Sequence, residues 1–406
     1  MRDSTHSDST CSAATTTRII ENIGTIDANA WNALLAADGA GNVLLQHEFL
    51  HALGGCATAD TGWAPRFLTL WSSELSPAPE LIAAAPLYDK FHSYGEYVFD
   101  WAWADAYQRY GLAYYPKRLS AVPFSPVGGA RLIARSPQAR QALAAALLAD
   151  AADAPSLHVL YPPPRDIETL KAHGLFVRLG VQFHWHNRGP EPYRNFDDFL
   201  AALAQPKRKK IRAERRKVLE AGVRLERKTG RDITAADWAF FFRCYRQTYA
   251  EHLSSPYLNL EFFERIGAAL GEHVLLVIAS RGSTRIAASL GLFDAPAPGA
   301  RLYGRYWGAL EPVPCLHFEC CYYQMIEFAI ERRLAVFEGG AQGAHKMARG
   351  LDPVTTYSAH WIADPRMREA IERHVARERE GVAQAIDELS ERRAYVSRAP
   401  HVDTNA

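Results

Sequence analysis

Excess charge of one sign is missing from this chain: Lys and Arg number 46, Asp and Glu 45, and the formal net charge is +1. No global field draws in nucleic acid or a membrane, so any such attraction has to be local. Cysteine is scarce and unpatterned. The 6 Cys (Cys11, Cys56, Cys244, Cys315, Cys320 and Cys321) show no C-x-x-C spacing. Cys320 and Cys321 are neighbours inside an expected helix, where a mutual disulfide is strained. This pattern reads as reduced thiols in a cytoplasmic protein and argues against zinc or any other bound metal. Long apolar runs are absent too: none reaches the roughly 18 to 20 residues that span a bilayer. The polar N-terminus, MRDSTHSDSTCSAATTT, lacks the apolar core of a secretory signal. Residues 1–17 are expected to form a disordered leader and 396–406 a loose tail. There is no G-x-G-x-x-G after a strand, no Walker loop, no H-E-x-x-H and no G-x-S-x-G, which disfavours hydride transfer, ATP hydrolysis and serine hydrolysis.

What is present is an enzyme-like composition, 48% hydrophobic and 22% charged, in 406 residues. That length is too great for one compact core, so about two domains are expected. The chain alternates. Strands are predicted over 18–23, 66–72, 81–88, 123–133, 157–161 and 176–186, with helices after the caps Asp27 and Ser136. From Asn195 the plan repeats: one helix over 195–221, a strand over 223–228, helices after Thr234 and Asn259, a hairpin around Arg281-Gly282-Ser283, a strand over 301–308, a long helix over 317–333 and strands over 336–338 and 355–362. Each half thus reads as helices, antiparallel strands, helix, strand, short helix, strand. The break lies near Asn187–Pro192, giving domains of 18–190 and 191–395.

The stretch from Leu316 to Leu351 narrows the function most. An apolar helix leads into a short strand ending at Glu338-Gly339-Gly340, and Gln342, His345, Lys346 and Arg349 follow. Titratable groups beyond a strand's carboxyl end are how α/β enzymes place chemistry. Glu338 either serves a site or closes an exposed tight turn. Gly339 and Gly340 let a ligand approach backbone N–H groups that can hold an oxyanion. His345 can act as acid or base; Lys346 and Arg349 hold a phosphate or cap the strand by pairing with Glu338. On the helix, Glu319 falls off the polar face made by Cys320, Gln324, Glu327 and Glu331. It is either a buried general base with a raised pKa or an acid favoured by the helix N-terminus.

Two further segments stand out. Lys207, Arg208, Lys209, Lys210, Arg212, Arg215, Arg216 and Lys217 crowd one helix, with Glu214 as its only acid in that run. This is a phosphate-binding face, with Arg208, Lys209 and Arg212 as its candidates, or a solvated one with Ile211 and Val218 turned inward. Residues 88–110 are dense in Tyr, Phe and Trp. They form the first domain's core or an acceptor-binding surface on which Tyr94, Glu96, Asp100 and Asp105 are the candidates.

The order of elements matches the GNAT acetyltransferase fold. PKRKKIRAERRKV resembles the basic helix that opens the second domain of Fem-type aminoacyltransferases, and HKMARGL resembles their F-K-x-x-F-G segment. With PLYDKFHSYGEYVFDWAWADAYQRYG, YYPKRLSAVPFSPVGGARLI, HFECCYYQMIEFAIE and FEGGAQGAHKMARG, the chain from about Arg18 to Glu380 is similar to the FemAB-like N-acyltransferases, a bacterial group named for peptidoglycan biosynthesis or recognition. The resemblance implies an α/β architecture of α+β type: two tandem GNAT-like domains, each a mostly antiparallel mixed sheet flanked by helices. It implies transfer of an acyl or aminoacyl group to the amine of a small molecule or cell-wall precursor, with Glu338 or Glu319 as base and Lys346 and Arg349 as preferred binders. Acyl-CoA or aminoacyl-tRNA would be a co-substrate, so tRNA is a candidate partner, and no cofactor is permanently bound. The alternative is a non-catalytic protein of the same fold that binds a cell-wall precursor or RNA. Two departures matter. The junction GALEPVPC places Pro312 and Pro314 where a GNAT pyrophosphate loop needs N–H donors, which speaks against coenzyme A. There is also no room for the helical hairpin usual in Fem enzymes.

Overall fold

A computed structural model describes residues 15–395, apart from 40, 73–78, 188–190, 342 and 392–393. Most of the expected leader and the whole expected tail lie outside the described residues. Thr15–Thr17, assigned to the leader, already belong to β1 (Thr15–Ile20).

In the N-terminal half, α1 (Ala28–Ala37) starts as expected, with Asp27 Oδ1 accepting from Ala30 N at 2.8 Å. Next comes α2 (His47–Leu53). A long hairpin then breaks twice, at Arg66 and at Pro86, which has no N–H to give a ladder. The pieces are β2 (Trp63–Pro65), β3 (Phe67–Ser72), β4 (Leu81–Ala85) and β5 (Leu87–Lys90). They are followed by α3 (Trp101–Arg109), β6 (Lys117–Ser120), β7 (Ile133–Ala134), α4 (Pro137–Asp150), β8 (Ser156–Leu160), α5 (Pro164–Ala172) and β9 (Phe176–His186). The strand expected over 123–133 does not form. A turn at Pro123-Phe124 closes an isolated Val122↔Ser125 bridge, Pro126 lacks a donor, and only Ile133–Ala134 joins a sheet.

In the C-terminal half, the helix expected over 195–221 is two, α6 (Phe196–Ala202) and α7 (Gln205–Glu220), broken at Leu203-Ala204 with Pro206 in the first turn of α7. Then follow β10 (Val223–Lys228), α8 (Ala235–Glu251), α9 (Leu260–Leu270), β11 (Val274–Arg281), β12 (Thr284–Phe293) and β13 (Arg301–Ala309). After β13, α10 (Leu316–Phe318) passes through a π turn (Glu319–Tyr323) into α11 (Gln324–Glu331). The half closes with β14 (Val336–Glu338), a 3-10 turn (Ala344–Arg349), β15 (Asp352–Ile362) and α12 (Pro365–Glu391).

Strands β1, β3, β4 and β7 form a small sheet, and the other eleven form one continuous sheet in the order β10-β11-β12-β13-β14-β9-β15-β8-β6-β5-β2. The last strand of each half is exchanged. Strand β9 lies against β14 of the second half, and β15 lies against β8 of the first. The division expected near residue 190 therefore follows the chain, while the hydrogen bonding crosses it. Each half keeps the GNAT pattern of antiparallel strands ending in a parallel pair, β6 with β8 and β13 with β14.

The β9–β15 ladder runs from Phe176↔His360 to Asp352↔His184 and is centred on Gly180↔Thr356. A two-fold axis through that centre, normal to the sheet, carries His184 onto His360, Glu338 onto His158 and Arg301 onto Lys117. Helices cover both faces. One core also bridges the halves, with Phe49 of α2 edge-on to Phe262 of α9 at 5.6 Å and Phe124 stacked on Tyr257 at 5.0 Å. Among the described residues no helix is long and apolar enough to cross a membrane.

Because each half lacks a central strand without the other, calorimetry of the full chain should show one cooperative unfolding transition. The fragment 191–395 should show none. Two separate transitions, or a fragment that melts cooperatively, would contradict the interlock.

Candidate active site

The strand exchange puts a cavity of about 890 Å3 where the halves meet. Its floor is the polar face of β9 (Gln182, His184, His186), flanked by Glu338, Arg301 and Tyr303 on one side and by Thr355 and Tyr357 of β15 on the other. Gly128 and Gly129, in the segment expected to be a strand, form part of its wall.

Glu338 ends β14 directly opposite His184 in the register. Its carboxylate is buried, at 3% exposure. Oε1 accepts from Arg301 Nη1 at 2.7 Å, while Oε2 has no hydrogen-bond partner among the described residues. A buried carboxylate oxygen left unpaired is costly unless a donor arrives. His184 is oriented by a relay. Gln182 Nε2 donates to Pro126 O at 2.8 Å, so its Oε1 is left to face His184 Nε2 at 3.1 Å. The proton therefore sits on Nε2 and Nδ1 carries the lone pair. Burial holds the imidazole below its usual pKa, partly offset by Glu338, and it stays neutral near pH 7. Asp294, pushed up to about 6 by burial, gathers Val43 N, Arg301 N and Tyr303 Oη at 3.0 to 3.1 Å and so fixes the start of β13. Beneath the wall, the fully buried Arg131 is cradled by the carbonyls of Val127, Gly129 and Ala130.

Strands β13 and β14 pair only over Arg301–Tyr303 and Val336–Glu338 and then diverge. A second pocket of about 180 Å3 opens in the gap, lined by Gly304, Arg305, His317, Gly339 and Lys346 among others. Glycine is needed on both sides: a Cβ at Gly304 would meet the Phe337 ring at 2.9 Å, and one at Gly339 would meet Leu351 Cδ2 at 2.4 Å. Lys346, pushed down to about 8 by burial, donates to Gly339 O at 2.5 Å and Gly340 O at 3.3 Å. Of the two N–H groups expected to hold an oxyanion, Gly339's is spent on Phe183 O at 2.9 Å. Gly340's has no acceptor among the described residues.

The structure thus brings Glu338, Gly339, Gly340 and Lys346 together around the end of one ladder. It places the other candidates elsewhere. Arg349 is buried, with Nη2 2.7 Å from Glu214 Oε1, Nη1 2.7 Å from His345 O, and its guanidinium over Phe318. It pins the 3-10 turn to α7 rather than facing a pocket. His345 is exposed beside Tyr322 Oη at 3.2 Å. Glu319 is buried as expected, but it pairs with Arg215 at 3.1 Å and accepts from Gln324 at 2.8 Å, lining neither pocket. Lys209 and Arg212 face outward, Arg212 lying 3.7 Å from Asp197, and Arg208 reaches Ala201 O at 3.5 Å. Gln342 lies outside the described residues.

The aromatic-segment candidates divide. Tyr94 is exposed beside Trp101, and Asp105 is exposed on α3. Glu96 and Asp100 turn inward instead and neutralise the buried Lys117. With Tyr114, His158 and His360 they fill the symmetry counterpart of the Glu338 site: Tyr114 Oη donates to Asp100 at 2.6 Å, and His158 Nδ1 lies 2.7 Å from His360 Nδ1. Sequence reasoning missed Gln182, His184, Arg301, Asp294 and Arg305. The available signal was the alternation Gln182, His184, His186 against Phe183 and Trp185, a polar face on a strand too long for an edge.

A model of the FemAB-like family, described as peptidoglycan biosynthesis/recognition, matches residues 22–397. This chain belongs to that family. FemX shares the fold at 12% identity with a TM-score of 0.52, covering 86% of this chain and 98% of its own. The C-terminal domain of a protein described as a lysylphosphatidylglycerol synthetase, from Agrobacterium fabrum, does so at 10% identity, 86% and 96% coverage and TM-score 0.51. L-PGS from Bacillus licheniformis is similar, at 9% identity, 86% and 97% coverage and TM-score 0.50. No curated protein matches the sequence. In this FemAB-like chain the tandem GNAT-like architecture is thus present.

Removing one partner of the Arg349–Glu214 pair leaves a buried charge. Arg349→Met or Glu214→Gln should each cost about 3–5 kcal/mol in urea unfolding, and the double variant less than their sum. Arg349→Met with unchanged stability would return Arg349 to the ligand binders.

Proposed function

We propose that this FemAB-like protein is an N-acyltransferase that moves an acyl or aminoacyl group to the amine of a cell-wall precursor. The observation that carries the reading is Glu338. Its buried, unpartnered oxygen belongs to a residue that lines the large cavity, sized for an acceptor, at the point where β13 and β14 part; the next residue, Gly339, lines the small pocket, sized for a donor's reactive end. The acceptor amine enters from the large cavity and donates to Glu338 Oε2. Its nitrogen attacks the acyl carbonyl at the end of the ladder, forming the C–N bond. Neutral His184 takes the amine proton on Nδ1, with Glu338 stabilising the imidazolium. The ester or thioester bond breaks, and the departing alkoxide or thiolate leaves with the electron pair and takes the proton from the His184 imidazolium, which restores the neutral base. The developing oxyanion lies near Gly340 N–H and the Lys346 ammonium. The donor is already activated, so holding it beside the amine supplies much of the rate and no nucleophilic side chain is required. An aminoacyl-tRNA donor fits better than acyl-CoA, because Pro312 and Pro314 occupy the junction after β13 and Cys315 there is left-handed (φ 68°).

Transfer of label from a charged tRNA or acyl-CoA to an amine acceptor tests the reading. Glu338→Gln should lower kcat by about 10²- to 10⁴-fold. Wild-type protein that binds acceptor tightly but never transfers label would make it a recognition protein instead.

A second outcome concerns pH. A depressed imidazole pKa keeps His184 a base well below the usual value of about 6.5. In wild type, kcat/KM should hold through neutrality and fall only at more acid pH, and His184→Gln should lose that limb along with most of its rate. An unchanged profile would remove His184 from proton transfer.

A further inference from the structure

The pocket between β13 and β14 is lined by two cations and no carboxylate. Arg305 donates through Nη2 to Phe124 O at 2.6 Å and to Tyr306 Oη at 3.2 Å, while its buried Nε has no partner. Among the described residues no acid lies within ion-pair distance of Arg305, and the groups that act on its charge are the hydroxyls of Tyr306, Tyr97 and Tyr249. Lys346 likewise bonds only carbonyl oxygens. His317, on the same wall, is pushed down to about 4 by burial and by the cations around it. Two enclosed cations elsewhere are paired with acids, Lys117 with Glu96 and Asp100 and Arg349 with Glu214, while the buried Arg131 is held by backbone carbonyls and faces neither pocket. Two enclosed cations facing one hollow without an acid form a site that lacks its counter-charge. The volume, about 180 Å3, admits a carboxylate or phosphate group with a few attached atoms.

We propose that this pocket binds an anionic group of the transfer substrate, a carboxylate or a phosphate, held between Arg305 and Lys346. The assignment of that anion to the donor rests on the acyl-transfer reading; the anion site itself does not. A carboxylate would come from the acyl group and make the protein selective for acidic acyl donors. A phosphate would come from the carrier.

Calorimetric titration of the full chain with succinate and with inorganic phosphate, at constant ionic strength, tests the site. Saturable one-to-one binding of at least one anion is expected, weakened at least about tenfold by Arg305→Met and by Lys346→Met. Arg305→Lys should restore most of it, and Arg208→Met, on the outer side of α7, should leave it unchanged. Succinate binding alone assigns a carboxylate, and phosphate binding alone assigns a carrier phosphate. Circular-dichroism melts confirm that each variant is folded, and Arg305→Lys carries the test if Arg305→Met is not. Absence of saturable binding by either anion, or equal binding by folded wild type and Arg305→Met, overturns the proposal. Wild-type protein that never transfers label would strike the transfer reading and leave the anion site standing.

Discussion

The ladder between β9 and β15 is the constraint from which the rest follows. Nine register pairs join two strands that the chain order assigns to opposite halves. Had each half kept its own last strand, β9 would lie against β8, and Gln182 and His184 would sit beside the buried Lys117 cluster. The exchange instead lays His184 opposite Glu338, a residue 154 positions later by subtraction of their numbers. The pairing of His184 with Glu338 is a property of the interlocked sheet and of neither half alone.

The two-fold relation shows what distinguishes a site from its counterpart. On one side, Arg301, Glu338 and His184 border a cavity of about 890 Å3. On the other, Lys117, His158 and His360 are sealed, with Asp100, Glu96, Ser93 and Tyr114 occupying the space a ligand would take. Burial pushes His158 down to about 3, so it stays neutral at neutral pH. The sealed side offsets the Lys117 charge with two acids, whose other oxygens, Glu96 Oε1 and Asp100 Oδ1, have no hydrogen-bond partner among the described residues but are enclosed. The open side leaves Glu338 Oε2 unpartnered among the described residues, on a residue that lines the cavity. Unsatisfied groups around a hollow are what a substrate can satisfy.

Much of the architecture was legible because local signals act within a few residues. Asp27, Ser136, Thr234 and Asn259 cap the helices they were expected to cap, each through a side-chain oxygen and a backbone N–H three residues on. The Glu338-Gly339-Gly340 turn was legible for the same reason: a short apolar strand followed by two glycines has few other uses. Arg349 shows the limit. Its place in a polar cluster was readable, but its partner Glu214 lies 135 residues away, on a helix that reads as uniformly basic. Pro123–Ile133 alternates enough to suggest a strand, yet Pro126 and the glycines make it a wall of the cavity. His184 stayed hidden because its meaning depends on which strand lies beside β9, and strand exchange leaves no mark on periodicity.

The central claim is that reaction occurs at the end of the β13–β14 ladder. The most direct measurement is a crystal structure with a non-hydrolysable aminoacyl-ester donor analogue. The account predicts the analogue's carbonyl carbon beside Gly339-Gly340, its anionic group on Arg305 and Lys346, and Glu338 Oε2 facing the open side of the carbonyl. An analogue bound on the outer face of α7 or over Tyr94 and Trp101, with both pockets empty, would contradict it.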